Sequence, residues 1–241
     1  MRVMSAGDGY KYLLRTVATG DGERTLSTPL TRYYAEEGTP PGRWIGSAVT
    51  VLGGGALAVG DEVTEEQLQL LIGQGFDPVT KKALGRPYRK YPTTAERIER
   101  RTAKLDARLP VTERAAAVAA IESEEAARDS RKAVAGFDFT FSIPKSASVL
   151  WAVSDAGTQS LIADAHHAAV AEMVAFIERE LAATRVGAAG RNGAVAQAEV
   201  SGVIATAFDH YDSRAGDPHL HTHVVIANRV QAEPARSEER R

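Results

Sequence analysis

The chain is expected to fold as an α+β domain, a mainly antiparallel β-sheet with helices packed on it, and three features predict this. Residues Phe137–Ser142 read Phe-Asp-Phe-Thr-Phe-Ser, the strict alternation of a half-buried strand. Two β-rich runs, Val200–Phe208 and His219–Val230, flank the polar turn 212–218 and form an antiparallel hairpin. Gln159–Thr184 has the length and spacing of a long amphipathic helix.

The other elements follow in order. Arg2–Ser5 is a short apolar start, closed by the turn formers Gly7-Asp8-Gly9. Tyr10–Ala18 spaces Leu13, Leu14 and Val17 as a short helix does, and Gly20-Asp21-Gly22 breaks it. A loop-rich stretch carries Tyr33-Tyr34, Pro40-Pro41-Gly42, Trp44 and the Gly53–Gly55 triplet. Thr64 and Gln67 have capping-box spacing, which starts a helix over Thr64–Leu71. Gly75, Pro78, Gly85 and Pro87 keep the next stretch irregular. Helices are expected over Thr94–Leu105 and Thr112–Val134, with Gly136 as the stop of the second. No internal repeat is present.

The 241 residues are 44% hydrophobic and 25% charged, a globular composition that excludes a disordered chain. No apolar run approaches the roughly 20 residues of a membrane span, and the N-terminus lacks the apolar core of a signal peptide. Zero cysteines exclude disulfides, thiolate metal sites and a cysteine nucleophile. These features place the protein in the cytoplasm with no membrane segment. A net charge of −2 excludes nucleic-acid binding by bulk charge. Local charge differs: Lys81–Lys104 holds nine basic residues against two acidic ones, a balance of +7. Lys81, Lys82, Arg86, Arg89 and Lys90 with Tyr88 and Tyr91 suit single-stranded DNA, offering charge to phosphates and flat rings to bases. The simpler alternative is a solvated helix face with its loop.

Four of the six histidines, His210, His219, His221 and His223, lie within fourteen residues. On a strand, His219, His221 and His223 share a face. A turn centred near Ala215 sets position 210 across from about 220, so His210 joins them. Such a cluster is a metal site on the sheet, though spacing alone leaves open which three histidines bind. It also leaves open a hydrolase whose metal activates water.

The segments Gly136–Ser146 (GFDFTFSIPKS) and Asp217–His223 (DPHLHTH) resemble the signature stretches of conjugative relaxases of the TrwC/TraI (MobF) type, with an HUH-type endonuclease fold. The N-terminal tyrosine region, Tyr33-Tyr34 followed by Gly42-Arg43-Trp44-Ile45-Gly46, and Phe208-Asp209-His210 support the likeness, which runs from Arg2 to Gln231. It implies a DNA nickase in which a tyrosine hydroxyl attacks a phosphodiester at an origin of transfer, leaving a 5′-phosphotyrosine and a free 3′-hydroxyl. Tyrosine, with a pKa of about 10, is a weak nucleophile at neutral pH and needs a cation to offset developing charge.

Carried over by residue, the resemblance implies His210, His221 and His223 as metal ligands, with His219 as a neighbour. It makes Asp138 the carboxylate that orients a ligand histidine or helps to deprotonate the tyrosine. The family's adjacent tyrosines are split here as Tyr10-Lys11-Tyr12. Counting five residues on from Gly7 selects Tyr12, with Tyr10 as its rival. Tyr33 and Tyr34 correspond to a second tyrosine pair, or else pack beside Trp44. The expected cofactor is a divalent ion. Three histidines favour Zn²⁺ or Ni²⁺ by intrinsic affinity, while cellular availability favours Mg²⁺ or Mn²⁺. Expected partners are single-stranded DNA at the origin of transfer, relaxosome accessory proteins and coupling proteins. The resemblance leads to the expectation of a relaxase domain over 1–231, incomplete relative to the family, and the composition of 232–241 to that of a polar, disordered tail. Alternatives are an inactive truncated relaxase that only binds single-stranded DNA, an unrelated three-histidine hydrolase, and a rolling-circle initiator using His219-Leu220-His221.

Overall fold

The structure, a computed structural model, describes residues 1–14, 40–128, 131–186, 196–213 and 215–230. In chain order the strands are β1 (Arg2–Ser5), β2 (Arg43–Ile45), β3 (Val134–Ser142), β4 (Ala183–Val186), β5 (Ala196–Glu199), β6 (Ala205–Asp212) and β7 (Pro218–Ala227). Five of them form an antiparallel sheet in the order β1-β3-β7-β6-β2, and β4 and β5 form a separate ribbon. The expected α+β fold is present.

Alternation divides this sheet into two unlike faces. One carries Phe139, Phe141, Ala205, Val224 and Ile226, which pack with Val170 and Val174 of a helix laid across them. The other carries Asp138, His210, His221 and His223. Burying branched and aromatic side chains on the helix side leaves the opposite side free for polar chemistry.

The helices are α1 (Glu65–Leu68), α2 (Thr94–Thr102), α3 (Val111–Ala126), α4 (Lys145–Val153) and α5 (Ala156–Phe176). The Thr64–Gln67 capping box starts α1, which runs on as a π turn over Gln69–Gln74. Pro144 precedes α4, whose Trp151 is fully buried and stacks on Tyr211 at 5.1 Å. With its π-turn extension to Leu181, α5 has the length and composition to cross a membrane, at a mean hydropathy of 1.2. It buries Gln159, Ala163, His166, Val170 and Val174 along one face and leaves Asp164 and Glu172 exposed.

Several expected boundaries move, and the first strand of the hairpin runs over Ala205–Asp212 rather than Val200–Phe208. The helix predicted to reach Thr184 gives way to β4 at Ala183, where β-branched Thr184 and Val186 favour a strand. The helix predicted over Thr112–Val134 ends at Ala126, and Val134 already belongs to β3. Gly136 is therefore a strand residue, paired with Ala227. A Cβ there would lie 2.5 Å from the Ile226 carbonyl oxygen, so the glycine permits close strand approach.

The chain divides into two compact units, Met1–Pro87 with Val134–Arg241, and Tyr88–Ala133. In the second, the Thr93–Glu96 capping box starts α2. Glu125 on α3, buried at 2% exposure, accepts Arg97 Nε at 2.6 Å and Arg101 Nη1 at 3.0 Å and so ties the two helices together.

Candidate active site

The β6–β7 hairpin pairs His210 with His221 and Phe208 with His223. Residue 210 thus faces 221 rather than about 220, the offset arising at a bulge between His210 and Asp212. Each of His210, His221 and His223 brings one ring nitrogen to within 4.8 Å of the others'. A Cβ on Gly42 would sit 2.2 Å from the Phe208 ring, so only glycine lets the segment entering β2 pass over this face.

The outer partners orient the rings. His221 Nδ1 donates to the His219 carbonyl at 2.7 Å, and His223 Nδ1 donates to Asp138 at 2.9 Å, leaving both Nε2 lone pairs available. His210 Nε2 is buried and has no hydrogen-bond partner among the described residues. Three converging imidazoles, one with an orphaned nitrogen, fit a divalent cation that keeps open coordination positions. His219 stacks on His221 at 4.6 Å, outside the triad.

Burial, with His223 and His221 alongside, pushes the His210 imidazole down to about 4. The folded state therefore holds it neutral where the unfolded chain protonates near 6.5. Its contribution to stability is complete above pH 6.5 and is lost as the pH falls towards 4. Metal-free protein is expected to lose about 2–3 kcal/mol by this route. Thermal unfolding in chelator at stepped pH checks this, and His210→Gln should flatten the slope across that window.

Tyr12 comes from a short 3₁₀ helix, Asp8–Leu14, in which Tyr10 and Leu13 lie one turn apart and are both buried. That spacing sends Tyr12 elsewhere, and its hydroxyl donates to Asp138 Oδ2. The Tyr12 ring meets the His223 ring edge-on at 6.3 Å, and the Arg2 guanidinium covers it at 4.5 Å. Asp138, 3% exposed, thus holds the phenol and a triad imidazole together. Burial pushes its carboxyl up, but the hydrogen bonds from His223 and Tyr12 outweigh this and hold it below its ordinary value. Burial and the bond to Asp138 push the Tyr12 phenol well above 10, so the proton stays on Tyr12 and points at a carboxylate. Tyr10 packs against the π turn, 3.6 Å from the position of a Cβ on Gly73. Tyr33 and Tyr34 lie outside the described residues.

The family model for the TrwC relaxase matches residues 6–239. The chain belongs to the TrwC relaxase family. Over 96 residues it is 43% identical to the multifunctional conjugation protein TraI of Escherichia coli, a stretch covering 40% of this chain and 5% of TraI. TraI of Escherichia coli strain K12 is 41% identical over the same length. Among solved structures, conjugative relaxase TrwC in complex with OriT DNA aligns with a TM-score of 0.54 at 23% identity, covering 96% of this chain and 58% of that one. Its metal-free complex with OriT DNA aligns at 0.53 and 21%, covering 97% and 56%. At these identities the structures show a shared fold. The chain spans little more than half of them.

The basic segment of this TrwC-family chain is less free than its count suggested. Lys81 pairs with Glu66 at 2.7 Å, and Arg97 and Arg101 spend their charge on Glu125 and Glu124. Lys82, Arg86, Arg89 and Lys90 are exposed, and Arg89 lies 5.1 Å from the Tyr91 ring centre. Lys81, Lys82 and Arg86 belong to the first compact unit, and Tyr88, Arg89, Lys90 and Tyr91 to the second.

Sequence reasoning left Asp209 without a role. Strand alternation turns it away from His210, to the helix side of the sheet, where it is 4% exposed. It accepts Arg43 Nη1 at 2.5 Å and Thr222 Oγ1 at 2.6 Å, and Thr222 in turn accepts from His166 Nε2 at 2.8 Å. His167 Nε2 lies 2.9 Å from the same carboxylate. This network anchors β6 and β7 directly behind the triad.

Proposed function

We propose that this chain is a metal-dependent, site- and strand-specific nickase of single-stranded DNA at an origin of transfer, acting through a 5′-phosphotyrosine at Tyr12. The observation that carries the reading is that Asp138 binds both the Tyr12 hydroxyl and the His223 imidazole. Family membership and the OriT DNA bound by the TrwC structures support it.

His210, His221 and His223 would hold the ion, Mg²⁺ or Mn²⁺ by availability and Zn²⁺ or Ni²⁺ by donor preference. When bound, it supplies positive charge that polarises the scissile phosphate. Tyr12 Oη attacks phosphorus and the bond to the 3′ oxygen breaks. The phenolic proton leaves for Asp138, and the departing oxygen ends as a 3′-hydroxyl, so the net transfer is one proton from phenol to sugar. Lys82, Arg86, Arg89 and Lys90 supply phosphate contacts, with Tyr88 and Tyr91 as stacking surfaces. Tyr33 and Tyr34 are assigned a second strand transfer. The protein acts in the cytoplasm with relaxosome accessory and coupling proteins.

The test is a denaturing-gel assay with labelled single strands from the DNA flanking the gene and Mn²⁺ or Mg²⁺, followed by peptide mapping. A covalent adduct at Tyr12 is expected. Chelation should reduce its formation by about 100-fold or more, and added ion should restore it. Cleavage without an adduct would replace the reading with a three-histidine hydrolase. Binding without cleavage would leave an inactive relaxase fragment.

A further inference from the structure

Arg2 stands directly opposite Asp138 in the β1–β3 ladder, on the triad's face of the sheet. Its guanidinium carbon lies 4.5 Å from the centre of the Tyr12 ring, and the residue is exposed. Among the described residues it forms no ion pair, whereas Arg43, Arg97 and Arg101 are all held by carboxylates. The cation is thus held in place by a ring face while its planar fork of donors remains uncommitted. Beyond Asp138, the same face of β3 presents exposed Thr140 and Ser142, opposite His223 and His221.

This arrangement answers an electrostatic problem in the proposed chemistry. The carboxylate that accepts the Tyr12 proton also repels an incoming phosphodiester, and charge on that phosphate grows during attack. A guanidinium beside both groups offsets the repulsion, and its paired N–H donors match two non-bridging phosphate oxygens. We propose that Arg2 is a catalytic residue of the nicking reaction that clamps the scissile phosphate of the DNA strand over Tyr12. The guanidinium keeps its proton throughout, so the bond changes remain those at Tyr12 and the 3′ oxygen.

The inference rests on the nicking reading, and two measurements separate their failures. In single-turnover assays on the labelled flanking strand, Arg2→Gln is expected to slow Tyr12 adduct formation by about 100-fold, with partial rescue by Arg2→Lys. In the uncleaving Tyr12→Phe background, Arg2→Gln should lower the slope of log affinity against log salt by about 0.7, the loss of one phosphate contact, and Arg2→Lys should preserve it. An unchanged slope overturns the clamp even if adduct formation slows, because Arg2 would then act only through the Tyr12 ring. An unchanged adduct rate overturns the catalytic role. If the wild-type chain forms no adduct but the slope falls, the phosphate contact stands and only the nicking reading is lost.

Discussion

Replacing Tyr12 with phenylalanine is expected to lower covalent adduct formation by at least about 10⁴-fold, the scale seen when a nucleophile is removed. Affinity for the uncleaved strand should stay within about twofold, because the ring and its contact with Arg2 remain. Tyr10→Phe should still form the adduct. Its ring fills the space beside the π turn, so removal of that ring acts on folding; Tyr10→Ala should cost about 3–5 kcal/mol. Quantified adduct gels on folded protein decide between the two tyrosines. Full adduct yield from Tyr12→Phe would remove Tyr12 as the nucleophile.

The second large effect concerns stability. Asp209→Ala is expected to destabilise the fold by about 3–5 kcal/mol, since it strands the Arg43 cation, leaves Thr222 without its acceptor and removes the carboxylate beside His167. In a domain of this size that corresponds to a fall of about 10 °C in melting temperature. Burial pushes the Asp209 carboxyl up, but His167 and Arg43 outweigh it and hold it far below its ordinary value. Its stabilisation is therefore complete above about pH 4 and is lost only as the pH falls further. That window lies below the one set by His210, so calorimetry at stepped pH resolves the two. A melting temperature within 2 °C of wild type (roughly 1 kcal/mol or less) would show that the network contributes little.

What could be read from sequence was whatever has a period or a short range. His221 and His223 share a face because strands repeat in twos, and the polar turn sets His210 beside them. Only the bulge at 210–212 escaped, since an extra residue in a strand carries no signal in composition. Asp138 was legible as a strand residue in a recognisable motif. The count implied by the resemblance favoured Tyr12 over Tyr10, but the physical ground for that choice was not legible, because it depends on the 3₁₀ turn facing one ring to the core and the other to β3. Gly136 read as a helix stop because its actual constraint, the Ile226 carbonyl, is supplied by a strand some ninety residues later. Asp209 and Arg2 were missed for the same reason. The partners Arg43 and His167, and the Tyr12 ring for Arg2, are brought in by tertiary pairing that no local pattern announces.

The two faces of the β6–β7 hairpin interleave along the same residues: Asp209 beside His210, and Thr222 between His221 and His223. Inserting or deleting one residue within β6 would trade His210 for the Asp209 carboxylate, and within β7 would trade His221 and His223 for their neighbours, sending histidines into the interior. Chemistry and folding are thus written in a single reading frame here. Length variation among descendants of this gene has one safe outlet in the hairpin, the turn between Asp212 and Pro218, where added residues shift neither face.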